Sequence, residues 1–121
     1  VKRPSHKELN TKLQEAMNAV HKNHINLVEP GIIVAHAMEL GYSIRDELQQ
    51  VLSELLQHTG SEHYAGHYPP QKSYETCIQH LDLWAFSATC PIFKPRVYYK
   101  FSLKNDYFYL ASLHVSTSAA D

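Results

Sequence analysis

The chain is poor in glycine and cysteine, and each shortage excludes a class of chemistry. Four glycines in 121 residues build no Gly-rich phosphate loop, Walker motif or GxSxG elbow. The two cysteines, Cys77 and Cys90, stand in neither a metal-ligand nor a CxxC spacing, so both are expected as free thiols. No apolar run approaches the roughly 20 residues of a membrane span. No signal-peptide pattern opens the chain. The cytoplasm is therefore the expected compartment, with no membrane partner. There is no internal repeat. Charge of one sign is also lacking: the formal net charge is −1, too little for gripping a long nucleic acid by charge alone. A small local basic site stays open.

What is present is a globular composition, 44% hydrophobic and 19% charged, over a length that suits one domain, residues 1–121. Nine histidines and eight tyrosines stand out. Histidine titrates nearest physiological pH, and tyrosine offers a stacking face and a hydroxyl. Ordinary compositional bias explains both counts equally well.

The first half of the chain reads as helices. Ser5-His6-Lys7-Glu8 fits a capping box, and Leu9, Leu13, Met17 and Val20 then recur at helical spacing, so a helix is predicted over Pro4–Lys22. His21 and His24 close it as an HxxH pair with no third ligand beside them, so no metal and no cofactor are expected there. Asn26–Glu29 is a connector. Pro30 suits the first turn of a second, short helix that carries His36 as a packed histidine and ends at Gly41. Ser43 starts a third helix, with Ile44, Leu48, Val51, Leu52 and Leu55 on one face, ending at Thr59-Gly60. The short Gly41-Tyr42 link predicts that the second and third helices pack on one another.

Gly60–Ser73 reads as a long loop holding His63, His67, Tyr64, Tyr68 and Lys72. Long loops without secondary structure are often functional. This one suits RNA contact, by stacking rings and one cation. It equally suits a Tyr/Pro-packed connection over the sheet.

The last third is strand-like. Leu81–Ala88 forms a first strand, Cys90–Pro95 a turn, and Arg96–Leu103 and Tyr107–Val115 flank the polar Lys104-Asn105-Asp106 as a hairpin. Alternation puts Val97, Tyr99, Phe101 and Leu103 on one face and Tyr98, Lys100 and Ser102 on the other. It groups Tyr109, Ala111, Leu113 and Val115 against Leu110, Ser112 and His114. A two-residue loop at Asn105-Asp106 would set Val97 opposite His114 and mix the faces. A three-residue loop, Asn105-Asp106-Tyr107, pairs Lys104 with Phe108, Tyr99 with Leu113 and Phe101 with Ala111. It also brings Tyr98 opposite His114 and Lys100 opposite Ser112. A Tyr98–His114–Lys100–Ser112 cluster is therefore predicted on the outward face, as a site or as the solvated side of a half-buried sheet. Helices followed by an antiparallel three-stranded meander give an α+β fold.

The segments Pro69-Pro70-x-Lys72-Ser73-Tyr74, Leu-x-x-Phe/Trp around Trp84, Val97-Tyr98-x-Lys100-Phe101 and Ser112-Leu113-His114 resemble the MqsR type of mRNA interferase. These are toxins of type II toxin–antitoxin systems with a RelE-like fold. Ala35–Gly41 is similar to that family's Ala-x-x-Leu-Gly helix end. The likeness is best over residues 30 to 115; order and spacing carry it rather than any one motif. It implies a cytoplasmic, metal-independent endoribonuclease acting on single-stranded mRNA, on the ribosome for the wider RelE fold, with a cognate antitoxin protein as partner. The family's catalytic set is two lysines, a glutamine and a tyrosine. By position the tyrosine falls on Tyr98, the first lysine on Lys72 and the second on His114. The glutamine has no counterpart; the nearest position is Trp84.

Cleavage of this kind needs a base for the ribose 2′-OH, an acid for the leaving 5′ oxygen and cations for the phosphorane. Lysine, with a pKa of about 10, is a poor base at neutral pH, whereas histidine is well matched. The expected roles are proton exchange at His114, phosphate orientation or acid catalysis at Tyr98, and charge stabilisation by Lys72, Lys100 and Arg96. His63 or His67 would supply the second proton, and Tyr68 and Ser112 would contact RNA. Two alternatives use the same residues. One is a non-catalytic module that binds RNA or protein through the Tyr/His/Lys face. The other is a metalloenzyme built on His63, His67 and a cysteine.

Overall fold

The computed structural model describes residues 4–116. Three helices, α1 (His6–His21), α2 (Pro30–Leu40) and α3 (Ile44–Gln57), precede three of the four strands. β1 (Ile25–Leu27) lies between α1 and α2; β2 (Trp84–Cys90), β3 (Phe93–Lys104) and β4 (Tyr107–Val115) follow. The fold is α+β, with a single mixed sheet in the order β1-β4-β3-β2.

The helix ends follow the side chains that cap them. The Ser5 hydroxyl accepts from the Glu8 N–H at 3.0 Å, and Ser43 accepts from the Asp46 N–H at 3.2 Å. Gly41 closes α2 at φ 83°, a left-handed conformation that glycine adopts without a Cβ penalty. The buried stripes of α1 (Leu9, Leu13, Ala16, Val20) and α3 (Leu48, Val51, Leu52, Leu55) pack on each other and close one face of the sheet. α3 thus takes α1 as its main neighbour rather than α2, which lies against β4. The short Gly41-Tyr42 link turns the chain away instead of folding the two helices together.

The sheet corrects the predicted meander in two places. Residues 25–27, expected in a connector, form an edge strand parallel to β4, with Asn26 opposite Tyr109. Three residues are too few to show a strand period in the sequence. The second correction concerns the hairpin. Its loop has two residues, not three: Lys104 pairs with Tyr107. Asn105 (φ 52°) and Asp106 (φ 68°) both take positive φ, as a type I′ turn requires. The turn is pinned to the end of α1 by an ion pair from Lys22 to Asp106 (2.8 Å) and by His24 stacked on Tyr107 (4.5 Å). This is where the HxxH pair is used: His24 faces the turn, and His21 lies near the Ser53 hydroxyl at 3.4 Å.

The register slips by one residue between Lys100 and Phe101. Leu110 pairs with Phe101 and Ser112 with Lys100, so Ala111 is the extra residue of a β-bulge. Phe108 and Leu110 therefore point into the core with Leu113, and the expected pairing of Phe101 with Ala111 does not occur. Beyond the bulge the register returns to the predicted one, with Tyr98 opposite His114 and Tyr99 opposite Leu113.

β2 begins at Trp84 rather than Leu81. Asp82 instead makes an isolated bridge with Lys72. The intervening segment, with a short 3₁₀ turn at Thr76–Ile78, lies over the outward face of the sheet. The outward-facing Ser102 hydroxyl ties it down by donating to the Asp82 carbonyl at 2.6 Å. Ile78 and Leu83 are buried here, outside the main core cluster. Cys77 is exposed and Cys90 buried, both as free thiols.

Candidate active site

β3 and β4 bring the predicted cluster together on the outward face. The rings of Tyr98 and His114 stack with centroids 5.1 Å apart and planes 25° from parallel. Nδ1 of His114 lies 2.8 Å from the Val115 carbonyl. A carbonyl only accepts, so Nδ1 carries the proton and Nε2 is the nitrogen left to exchange one. One pair further along, Lys100 faces Ser112. Lys100 makes no ion pair among the described residues.

Residues of this face line two hollows. A cleft of about 210 Å³ holds Lys72, Lys100 and Ser112 with Gln71, Glu29 and Glu75. An open depression of about 510 Å³ lies between His114 and α2, lined also by His36, Glu39 and Ser116. The chain brings Lys72 to the cleft by pairing residues 71–73 with residues 81–83: Leu83 donates to the Gln71 carbonyl at 2.8 Å and Ser73 to the Leu81 carbonyl at 2.9 Å. The Lys72 ammonium is engaged by the Asp82 carboxylate, which leaves Lys100 as the less committed cation of the two.

The other predicted residues stand elsewhere. Arg96 lies on the same face by parity, but its guanidinium reaches across to the Ser87 carbonyl at 3.0 Å. His63 is tied to the loop, since its Nδ1 accepts the Gly60 N–H at 2.9 Å. Tyr68 stacks on Tyr64, and Tyr64 packs edge-on against Phe86 on the core face. The His67 carbonyl accepts the Tyr64 hydroxyl at 2.6 Å. The 60–68 loop thus wraps the β2 edge on the core side. His63, His67 and Tyr68 are not brought to the Tyr98–His114 cluster. Among the described residues, no group of three histidine, cysteine or acidic side chains is placed to share a metal ion.

His36 is the residue that the sequence did not bring to the site. Its ring centroid is 5.0 Å from that of His114, with the planes tilted by 56°. Ile33 and Ala37 of α2 are buried, and this turns the neighbouring His36 onto β4. No local signal links two histidines so distant in sequence; only the docking of α2 joins them. Gln71, Glu29 and Glu75 reach the cleft in the same way, through loop and strand pairing. Comparison with family models, with curated proteins and with solved structures finds no match to this chain. Its functional reading therefore rests on the chemistry of this face. No helix among the described residues is long and apolar enough to cross a membrane.

Proposed function

We propose that this chain is a metal-independent endoribonuclease for single-stranded RNA, a toxin of the mRNA-interferase kind with a RelE-like arrangement of helices on a sheet. The observation that carries the reading is His114. Its Nδ1 proton is held by the Val115 carbonyl, its ring is stacked on Tyr98, and the residue lines an open depression. That leaves a single nitrogen for proton transfer, in a fixed tautomer and orientation.

The reaction that suits these groups is internal transesterification. Nε2 of His114 takes the proton of a ribose 2′-OH, whose oxygen attacks the adjacent phosphorus. Tyr98 supplies a hydroxyl for the phosphate and a ring for a flanking base, since base–aromatic stacking is worth about 1–3 kcal/mol per base. Lys100 stabilises the charge that builds on the phosphorane. Lys72 contributes when RNA draws its ammonium from Asp82. Glu29 and Glu75 in the same cleft repel the backbone elsewhere and so confine a strand to the side of Lys100. An unpaired strand suits this site, because its bases are free to splay apart and stack on a side chain. An enzyme of this kind implies a cognate antitoxin protein, which either covers the face or clamps the domain elsewhere, and mRNA on the ribosome as one source of substrate.

The test is incubation of the purified protein with a labelled single-stranded RNA in EDTA. Cleavage is expected. Binding without cleavage would instead favour a non-catalytic RNA module on the same face. Cleavage that EDTA abolishes and added metal restores would sink the mechanism.

A further inference from the structure

The proposed reaction needs two proton transfers, and His114 performs one of them. We infer that His36 performs the other: it is the general acid that protonates the departing 5′ oxygen. The inference rests on the endoribonuclease reading and adds to it a catalytic residue drawn from α2.

Three observations carry it. First, the two imidazoles lie against each other, with centroids 5.0 Å apart, and both line one open depression. Second, the fold commits other histidines to its own hydrogen bonds: His6 to Ser61, His24 to the Asp106 carbonyl, His58 to the Glu54 carbonyl and His63 to Gly60. His36 has no such bond among the described residues. Third, its Nδ1 is buried and unpartnered. Leaving a buried polar atom without a partner is costly, and a merely packed side chain at this position, such as phenylalanine, would avoid that cost. With Nδ1 enclosed, any exchange with a ligand runs through Nε2.

His114 starts with a free Nε2, and His36 starts protonated there. The 2′-O–H proton passes to His114 as the 2′ oxygen bonds to phosphorus. The P–O5′ bond breaks, its electron pair stays on O5′, and His36 gives that oxygen its proton. The products are a 2′,3′-cyclic phosphate and a 5′-hydroxyl; no water is consumed. Proton exchange through solvent restores both rings. Glu39 of α2 and Tyr98 of β3 are the other titratable groups beside the pair.

The decisive experiment compares two single-stranded RNA substrates in EDTA. One is ordinary; the other carries sulfur in place of the bridging 5′ oxygen. A thiolate leaves without being protonated, so the second substrate needs no acid. His36→Ala is expected to slow cleavage of ordinary RNA on the order of 10²-fold or more and to recover most of that loss on the sulfur substrate. His114→Ala stays slow on both. His36→Phe keeps a ring against His114 and should behave as His36→Ala does, which covers the case in which alanine disturbs packing. Wild-type rates in either folded variant, or equal losses on both substrates, would overturn the role of His36 while leaving the endoribonuclease reading intact. A wild-type protein that cleaves neither substrate would overturn both.

Discussion

Tyr98 and Tyr99 are neighbours in β3, yet they occupy opposite faces of the sheet and different chemistries. Tyr99 is fully buried. Its hydroxyl donates to Thr59 at 2.7 Å, and Thr59 in turn donates to the Leu55 carbonyl at 2.6 Å. Burial pushes the Tyr99 phenol well above its ordinary range, so it stays neutral and serves as a structural pin between β3 and the end of α3. Around it, Phe86, Phe101 and Phe108 stack at centroid distances of 6.0 and 4.7 Å, apolar area that holds helices to sheet. Tyr98 lies half-buried on the other side, its ring against His114. One face spends its aromatic rings on stability, whereas the other sets its rings beside titratable groups and open space. Mutations on the two faces should therefore separate cleanly in what they damage.

The largest separation is expected at His114 and Phe101. His114→Ala should reduce RNA cleavage by about 10²–10⁴-fold, with a melting temperature close to that of the parent. Phe101→Ala, at the centre of the core face, should lower the unfolding free energy by about 3–5 kcal/mol in a urea titration. That is a large part of the ~5–15 kcal/mol that domains possess. If His114→Ala proved as destabilising as Phe101→Ala, the outward face would be structural as well, and the contrast would fail.

A smaller effect sharpens the core side. The Tyr42 hydroxyl is buried with no hydrogen-bond partner among the described residues, and burial pushes its pKa up to about 12. Tyr42→Phe removes the orphan and should raise stability by about 1 kcal/mol, whereas Tyr99→Phe breaks a made bond and should lower it by about as much. Paired thermal melts of the two variants check the opposite signs.

The smallest effect lies at the hairpin turn, where the face of every strand residue is set. The hydrogen bond from Lys22 holds the Asp106 carboxyl below its ordinary 3.8. Because the folded-state pKa is depressed, the contribution is present above pH 3.8 and is lost as the pH falls through the folded value. Asp106→Asn should therefore lower stability slightly near neutrality, with the difference from the parent vanishing as the pH falls through the folded value of Asp106. The pair is exposed and screened by salt, so the difference should shrink at high ionic strength.

The sequence made the helices legible because their signals are local. Ser5, Ser43 and Gly41 mark ends through their own side chains or backbone freedom, and the stripes of α1 and α3 repeat every three to four residues. The pairing of Tyr98 with His114 was also legible, although through the wrong turn. A three-residue loop and a two-residue loop followed by a one-residue bulge at Ala111 give the same register beyond the bulge. Alternation counts residues and cannot tell where an extra one is placed. What was not legible depends on docking. β1 is a strand only because β4 offers it an edge. His36 meets His114 only because Ile33 and Ala37 seat α2 on β4. His63, His67 and Tyr68 looked available because they lie in a long loop; in the fold, Tyr64 anchors that loop to Phe86 on the core side, and the rings go with it.

The central claim is that the outward face cleaves RNA through the 2′-hydroxyl, with side chains as the proton carriers. The most direct measurement is the chemistry of the ends left on a defined single-stranded RNA incubated with the purified protein in EDTA. The account predicts a 2′,3′-cyclic phosphate on one fragment and a 5′-hydroxyl on the other, both absent with His114→Ala. Fragments bearing a 3′-hydroxyl and a 5′-phosphate, or an RNA left whole by the folded parent protein, would contradict it.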